Sequence, residues 1–183
     1  MTEFRVRPLY DAEAIAARNE ELAAEIAAGV GRDLLVVAIL RGSFVFAADL
    51  IRALHHAGLS PQIEFLQLAS YRAATVSSGQ VEILRDIDSD PRGRDILLID
   101  DILESGRTLA FAKDLLAARG ARRVYTCVLL EKPGKRAVQV EADFVGFHCP
   151  DRFVVGYGMD ISHSYRELPF IGMVEETAPP TKS

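Results

Sequence analysis

The chain has 183 residues, of which 49% are hydrophobic and 26% charged, a length that suits one domain with a substantial core. Its formal net charge of −5 argues against a protein that binds nucleic acid through the phosphate backbone. The sequence shows no long apolar segment typical of a signal peptide or membrane span, and its two cysteines form no CxxC pair, so we expect a cytoplasmic protein that binds neither membrane nor structural zinc.

The hydrophobic pattern predicts strands that alternate with helices along the chain. The predicted helices span residues 11–30, 43–58 and 106–119. The predicted strands span residues 34–40, 62–70, 81–87, 96–99, 122–131, 142–149 and 152–158, and the small polar stretch 71–79 predicts a loop. Strands that are apolar throughout and alternate with helices indicate an α/β fold with a mostly parallel central sheet flanked by helices. We expect a single domain over residues 1–183 that ends in a flexible tail at 176–183.

The segment ILLIDDILESGRTL, Ile96–Leu109, joins a predicted buried strand to a predicted helix. Ligands of open α/β sheets bind outside the carboxyl ends of the strands, which is where we expect Asp100 and Asp101. Carboxylates there suit ribose hydroxyls, which need acceptors, or Mg²⁺ bound to the substrate.

The residues that follow the two acids predict a phosphate cradle. A helix N-terminus offers unpaired N–H groups, Gly106 lets a ligand approach the backbone, and Ser105 and Thr108 add hydroxyl donors. The whole segment therefore predicts a site for a phosphorylated sugar. The alternative is a helix capped by Ser105 beside solvated acids, but a cap does not explain two acids directly after a buried strand.

A second predicted strand ends in the same way. Arg41, Gly42 and Ser43 follow the strand 34–40 and open a helix, which forms a second anion cradle at the same sheet edge. An ordinary strand-to-helix turn is the alternative, and the presence of two cradles favours the functional interpretation.

The apolar run, paired acids, hydroxyl residue, glycine, basic residue and threonine of Ile96–Leu109 are similar to the phosphoribosyl pyrophosphate motif of type I phosphoribosyltransferases. Further segments resemble the hypoxanthine (guanine) phosphoribosyltransferases of that family, namely ILRGSFVFAADL, LLEKP, ADFVGFHCPDRFVVGYGMD and SYRELPFIG. The resemblance covers roughly residues 34–174. It implies the type I fold with a small hood formed mainly by about 148–175 and the N-terminal segment.

The resemblance implies a purine salvage enzyme that transfers the 5-phosphoribosyl group from phosphoribosyl pyrophosphate to hypoxanthine or guanine, with Mg²⁺ as cofactor, in a homodimer or homotetramer. Two alternatives stay open: a nucleotide-sensing regulator that binds RNA or a protein, and a phosphoribosyltransferase for xanthine. The acidic net charge and the retained segments RGS and PDRFVVGYGMD disfavour the regulator.

The resemblance also implies roles for individual residues. Ribose hydroxyls and Mg²⁺ fall to Asp100 and Asp101, and Asp160 also reaches the metal. The 5′-phosphate is assigned to Glu104, Ser105, Gly106, Arg107 and Thr108. The pyrophosphate is assigned to Leu40, Arg41, Gly42, Ser43 and Arg166, with the Leu40–Arg41 peptide bond cis in some states. The purine is assigned to Lys132, Phe153, Val154 and Asp160, and a mobile lid to the loop that starts at Ser70 and Tyr71.

Three positions depart from the family pattern. Glu104 stands where aspartate is common and is the implied acid–base group at the purine N7. Its extra methylene changes the reach of the carboxylate by about 1.5 Å. Ser105 replaces a usual threonine, and Ile161 replaces a usual aromatic residue.

Overall fold

The computed structural model describes residues 4–70 and 81–176. The helices are α1 (Ala12–Gly29), α2 (Phe44–His56) and α3 (Arg107–Ala118). The strands are β1 (Phe4–Tyr10), β2 (Leu34–Leu40), β3 (Gln62–Ser70), β4 (Val81–Arg85), β5 (Asp95–Leu103), β6 (Arg123–Glu131), β7 (Phe144–His148), β8 (Val154–Val155) and β9 (Ile171–Glu176). Across the described ranges, no helix is long and apolar enough to cross a membrane.

Six strands form a central sheet in the order β4-β3-β2-β5-β6-β7. Five neighbouring strands run parallel to one another, namely β3, β2, β5, β6 and β7, and β4 pairs antiparallel with β3 at one edge. Every residue of β2 from 34 to 39 is buried, because helices cover both faces of the sheet. The α/β fold predicted from the sequence is therefore confirmed.

Alternate residues of β2 point to opposite faces of the sheet, as the two-residue period of a strand requires. Val36 and Ala38 belong to a hydrophobic cluster that contains the buried residues of α1 and α2. Leu35 and Val37 belong to a second cluster that contains the buried residues of α3. The sheet thus has α1 and α2 on one face and α3 on the other.

A second sheet has three antiparallel strands in the order β1-β9-β8, and we call it the hood sheet. The hydrophobic pattern of the sequence predicts neither β1 nor β9. In β1 (FRVRPLY) apolar and charged residues alternate only over positions 4–7, and Pro8 argues against a strand. The predicted tail lies outside the described residues from position 177 onward.

The bounds of several predicted elements change in the structure. β5 runs on to Leu103, because its pairing with β6 continues as far as Leu103 and Glu131. The paired aspartates therefore lie inside the strand, where we had expected them directly after it. The predicted strand 152–158 is wrong beyond β8, because Gly156 and Gly158 have φ values of +93° and +99° and turn the chain. The predicted strand 81–87 ends at residue 85, and the predicted loop 71–79 lies outside the described residues.

Candidate active site

The carboxyl ends of β2 and β5 lie side by side, because the two strands are parallel neighbours in the sheet. A Cβ atom added at Gly42 would overlap the carboxylate of Asp101. The loop after β2 and the end of β5 are therefore in direct contact. The two cradles predicted from separate parts of the sequence form one site at the sheet edge, where the rule for α/β proteins places ligands.

The loop after β2 presents its backbone and one cation to this site. The Leu40–Arg41 peptide bond is cis, as the family resemblance implies. The Ser43 hydroxyl is buried and donates a hydrogen bond to the Ile39 carbonyl oxygen (2.5 Å). The hydroxyl thus holds the start of α2 against β2, and the exposed Arg41 side chain remains the charged group of the loop.

The two aspartates of β5 have different surroundings. Asp100 is buried, whereas Asp101 is partly exposed and lines the cleft described below. Burial raises the pKa of Asp100 well above its usual range, and the neighbouring Asp101 carboxylate raises it further. The Asp101 amide donates to the Asp100 carboxylate (3.0 Å). The pair thus presents the partly exposed Asp101 carboxylate to the cleft, and the buried Asp100 carboxylate holds the Asp101 backbone.

The loop between β5 and α3 has the backbone that its sequence predicts. Gly106 stands at the N-cap of α3 with φ +80°, and the Ser105 hydroxyl accepts a long hydrogen bond (3.4 Å) from the Arg107 amide at the start of the helix. A Cβ at Gly106 would lie 2.6 Å from Val140, so the close packing also requires glycine. The backbone of Ser105 is held by the Ala137 amide, which donates to its carbonyl oxygen (2.9 Å). The N-terminus of this 12-residue helix suits a phosphate, because its first turn offers backbone N–H groups.

A cleft of about 470 Å³ opens next to this loop, between the end of β5, the turn after β6 and the segment around β8. Its lining residues are Asp101, Ile102, Glu104, Lys132, Lys135, Asp151, Arg152, Phe153, Val154, Met159 and Asp160. Lys132 follows β6, and its amide donates to the Leu103 carbonyl oxygen (3.0 Å). The Lys132 side chain is only 7% exposed, whereas Phe153 is 54% exposed. An exposed aromatic ring and a nearly buried lysine thus meet in one cleft.

Glu104 lies in the cleft between two cations. Its Oε1 atom is 4.0 Å from Lys132 Nζ and 3.6 Å from Lys135 Nζ. Lys135 Nζ also lies 2.6 Å from a carboxylate oxygen of Asp151. The Glu104 backbone is fixed as well, since Arg136 donates to its carbonyl oxygen (2.8 Å).

Neither the residue pattern nor the family resemblance assigns a role to Lys135 or Asp151. Lys135 stands in the turn KPGKR after β6, and Asp151 stands in the segment PDRFVVGYGMD. Spacing along the chain gives no sign that the two segments meet, because their contact depends on how the turn after β6 folds over the cleft.

Asp160 and Arg166 form an ion pair at the other side of the cleft. Arg166 Nη2 lies 2.8 Å from one Asp160 oxygen, and the His163 amide donates to the other (2.7 Å). Arg166 also donates to the Gly158 carbonyl oxygen (2.6 Å). A Cβ at Gly158 would overlap the Gly42 carbonyl oxygen, so this segment touches the loop after β2. The predicted site residues from Asp160 to Arg166 therefore adjoin the second cradle, the loop after β2.

Among the described residues, no group of three or more His, Cys, Asp or Glu side chains is placed to hold a metal ion. Asp100 and Asp101 are adjacent, but Asp160 is paired with Arg166. This donor set suits a hard cation that takes most of its oxygen ligands from water and substrate. Of the predicted lid, Ser70 ends β3 and Tyr71 lies outside the described residues.

Comparisons with known proteins give a consistent result. Residues 6–162 match the family model described as "Phosphoribosyl transferase domain". Hypoxanthine phosphoribosyltransferase of Escherichia coli (strain K12) is 43% identical over 144 residues, which make up 79% of each chain. Hypoxanthine-guanine phosphoribosyltransferase of Streptococcus agalactiae is 38% identical over 92% of each chain. A structure of Trypanosoma cruzi hypoxanthine phosphoribosyl transferase, from work on the role of its C-terminal region in oligomeric state and enzymatic activity, is 34% identical. It covers 96% of this chain and 94% of that one, with a TM-score of 0.88.

Proposed function

Because the chain belongs to the phosphoribosyl transferase family, we propose that it is a purine salvage enzyme. It transfers the 5-phosphoribosyl group from phosphoribosyl pyrophosphate to hypoxanthine or guanine, and it releases pyrophosphate and IMP or GMP. The observation that carries this proposal is the neighbouring placement of Lys132 and Glu104 in a cleft with an exposed Phe153.

A 6-oxopurine fits these three side chains. Its six-oxo group and its N7 lie on one edge of the base. Lys132 donates to the six-oxo group, and Glu104, whose carboxylate is 4.0 Å from the ammonium, faces N7. The Phe153 ring stacks on the face of the base. The backbones of Val154 and Asp160 contact its remaining edge.

The same placement supports the chemistry. The purine N9 lone pair attacks the anomeric carbon as the bond from that carbon to the pyrophosphate oxygen breaks, and the bonding electrons leave with pyrophosphate. Bond breaking leads, so positive charge develops on the ribosyl ring. The proton on N7 passes to the Glu104 carboxylate, which leaves a neutral base in the nucleotide.

The remaining predicted residues hold phosphoribosyl pyrophosphate. The loop Glu104–Thr108 binds the 5′-phosphate at the N-terminus of α3. Asp100 and Asp101 accept hydrogen bonds from the ribose hydroxyls. The pyrophosphate lies against the loop Leu40–Ser43, with Arg166 as a further cation. These assignments rest on the contact between the loop after β2 and the end of β5.

A Mg²⁺ ion fits the donor set of the site. Asp100, Asp101 and Asp160 would hold it together with oxygens of the substrate, and the ion would neutralise charge on the leaving pyrophosphate. Asp160 would then bind the ion in place of Arg166, and Arg166 would be released to contact the pyrophosphate.

Three further features complete the proposal. The segment that starts at Ser70 and Tyr71, which from Tyr71 lies outside the described residues, is assigned the role of a lid that excludes water, because water would hydrolyse the activated ribosyl centre. The protein works in the cytoplasm, in keeping with two free, buried cysteines. It assembles as a homodimer or homotetramer of a single-domain chain with the hood sheet over the site. The comparison structure from Trypanosoma cruzi comes from work on the oligomeric state of that enzyme.

A steady-state assay tests the proposed function. The protein is given Mg²⁺ and phosphoribosyl pyrophosphate with hypoxanthine, guanine, xanthine or adenine in parallel. We expect turnover of hypoxanthine or guanine and none of adenine, because adenine has an amino donor where Lys132 needs an acceptor. Turnover of xanthine alone would favour the xanthine enzyme. Binding of phosphoribosyl pyrophosphate without turnover of any base would favour the regulator.

A further inference from the structure

Lys135 connects the acid–base residue of the cleft to a second carboxylate. Its ammonium lies 3.6 Å from Glu104 and 2.6 Å from Asp151. Lys135 stands on the turn after β6, whereas Asp151 precedes β8, so one side chain joins two segments that line the cleft.

We propose that Lys135 is a positioning residue that aims the Glu104 carboxylate at the purine N7, an inference that rests on the proposed function. A glutamate has one more rotatable bond than an aspartate, and a free side chain of this length samples several rotamers. The ammonium groups of Lys132 and Lys135 lie 4.0 Å and 3.6 Å from the same Glu104 oxygen, and their charge restricts the carboxylate to this part of the cleft.

Asp151 fixes Lys135 in turn. The hydrogen bond to Asp151 and its charge raise the pKa of Lys135, so the side chain remains a cation. Lys132 is nearly buried and is committed to the base, whereas Lys135 is 53% exposed. The two charged contacts of Lys135 are the carboxylates of Glu104 and Asp151, so its charge acts on Glu104.

Glu104, Lys135 and Asp151 are all partly exposed, so an effect of Lys135 on turnover can be told apart from an effect on the stability of the fold. Ion pairs between exposed side chains contribute little to the free energy of unfolding. Misplacing a reacting group by about 1 Å can lower a rate by about 100-fold. Loss of Lys135 should therefore change turnover and leave the stability of the fold unchanged.

The test measures kcat, KM and thermal unfolding of Lys135→Met in the full chain. We expect kcat to fall by about ten-fold, KM for the base and for phosphoribosyl pyrophosphate to stay within about two-fold, and the unfolding temperature to stay unchanged. Lys135→Arg keeps the cation and should restore most of kcat. Lys113→Met, which removes the same charge from α3, should leave kcat unchanged.

A double-mutant cycle with Glu104→Asp tests whether Lys135 acts through Glu104. The shorter carboxylate lies farther from Lys135, so Lys135→Met should cost less than about two-fold in that background. A wild-type kcat in Lys135→Met, or an equal loss in both backgrounds, would overturn the positioning role. Absence of turnover in the unaltered protein with all four bases would refute the proposed function, and the positioning role with it.

Discussion

Replacing Glu104 by glutamine removes the proton acceptor from the cleft and preserves the size and shape of the side chain. We expect Glu104→Gln to lose most of its turnover, because an amide does not accept the N7 proton. Binding of phosphoribosyl pyrophosphate should persist, since the loop backbone around Gly106 and the Arg136 bond to the residue 104 carbonyl are unchanged.

The surroundings of Glu104 set the size of this effect. A positioned general base contributes about 10²- to 10⁴-fold to a rate. Three other carboxylates line the cleft beside it. Asp151 is paired with Lys135 at 2.6 Å, Asp160 is paired with Arg166 at 2.8 Å, and Asp101 accepts a hydrogen bond from the Ile102 amide (3.0 Å). We expect none of them to replace Glu104, so kcat should fall by about 10³-fold, equivalent to about 4 kcal/mol.

The assay compares kcat and KM for hypoxanthine and guanine, with calorimetric titration of phosphoribosyl pyrophosphate in the presence of Mg²⁺. Glu104→Asp serves as the matched control, because it keeps a carboxylate and shortens the side chain by about 1.5 Å. Wild-type turnover in Glu104→Gln would remove this residue from the mechanism. Loss of phosphoribosyl pyrophosphate binding in the same variant would assign it to substrate binding.

Three further variants test other features of the structure. Gly42→Ala should abolish turnover in the steady-state assay, because the new methyl group overlaps the Asp101 carboxylate; an active variant would show that the loop after β2 moves freely. Tyr157→Phe should lower the free energy of unfolding in urea by about 1–3 kcal/mol, since the Tyr157 hydroxyl donates a hydrogen bond of 2.6 Å to the Asp49 carboxylate. An unchanged free energy would mean that water takes the place of the lost hydroxyl. The Arg122 guanidinium holds the pKa of Asp95 below its usual value of 3.8, so this carboxylate stabilises the fold above that pH, and the stability is lost as the pH falls through the lowered pKa. Asp95→Asn should therefore lower the free energy of unfolding at pH 7 by about 1–3 kcal/mol and weaken its dependence on pH below 4, and unchanged acid unfolding curves would contradict this account.

The central sheet and the first cradle could be predicted because local sequence determines them. Strands such as LLVVAIL must be buried on both faces, and a parallel sheet then brings their carboxyl ends to one edge. The positive φ of Gly106 and the start of α3 follow from the glycine that precedes the helix. Family resemblance added the roles of Lys132 and Phe153, which spacing alone leaves open.

The parts that were missed depend on contacts between distant segments. β1 and β9 stabilise each other by pairing across most of the chain. The alternation of β1 covers only four residues before Pro8, and β9 (IGMVEE) has no regular alternation. β5 extends through the paired aspartates because β6 continues beside it. The Lys135 and Asp151 pair forms only when the turn after β6 meets the segment before β8.

Asp100 and Asp101 lie on a central strand of the six-stranded sheet, whereas β8 on the other side of the cleft belongs to the hood sheet, and the two sheets should differ in the free energy needed to open them. β5 is hydrogen-bonded to β2 as far as Ile99 and to β6 as far as Leu103. The amide protons of its doubly paired part should therefore exchange with solvent only when the whole domain unfolds. The hood sheet has three strands, and local opening there should cost much less free energy. The side of the cleft that contains β8 should thus open more readily than the side that contains β5. In the proposed enzyme, this difference would let a base enter and a nucleotide leave while the core of the central sheet stays folded.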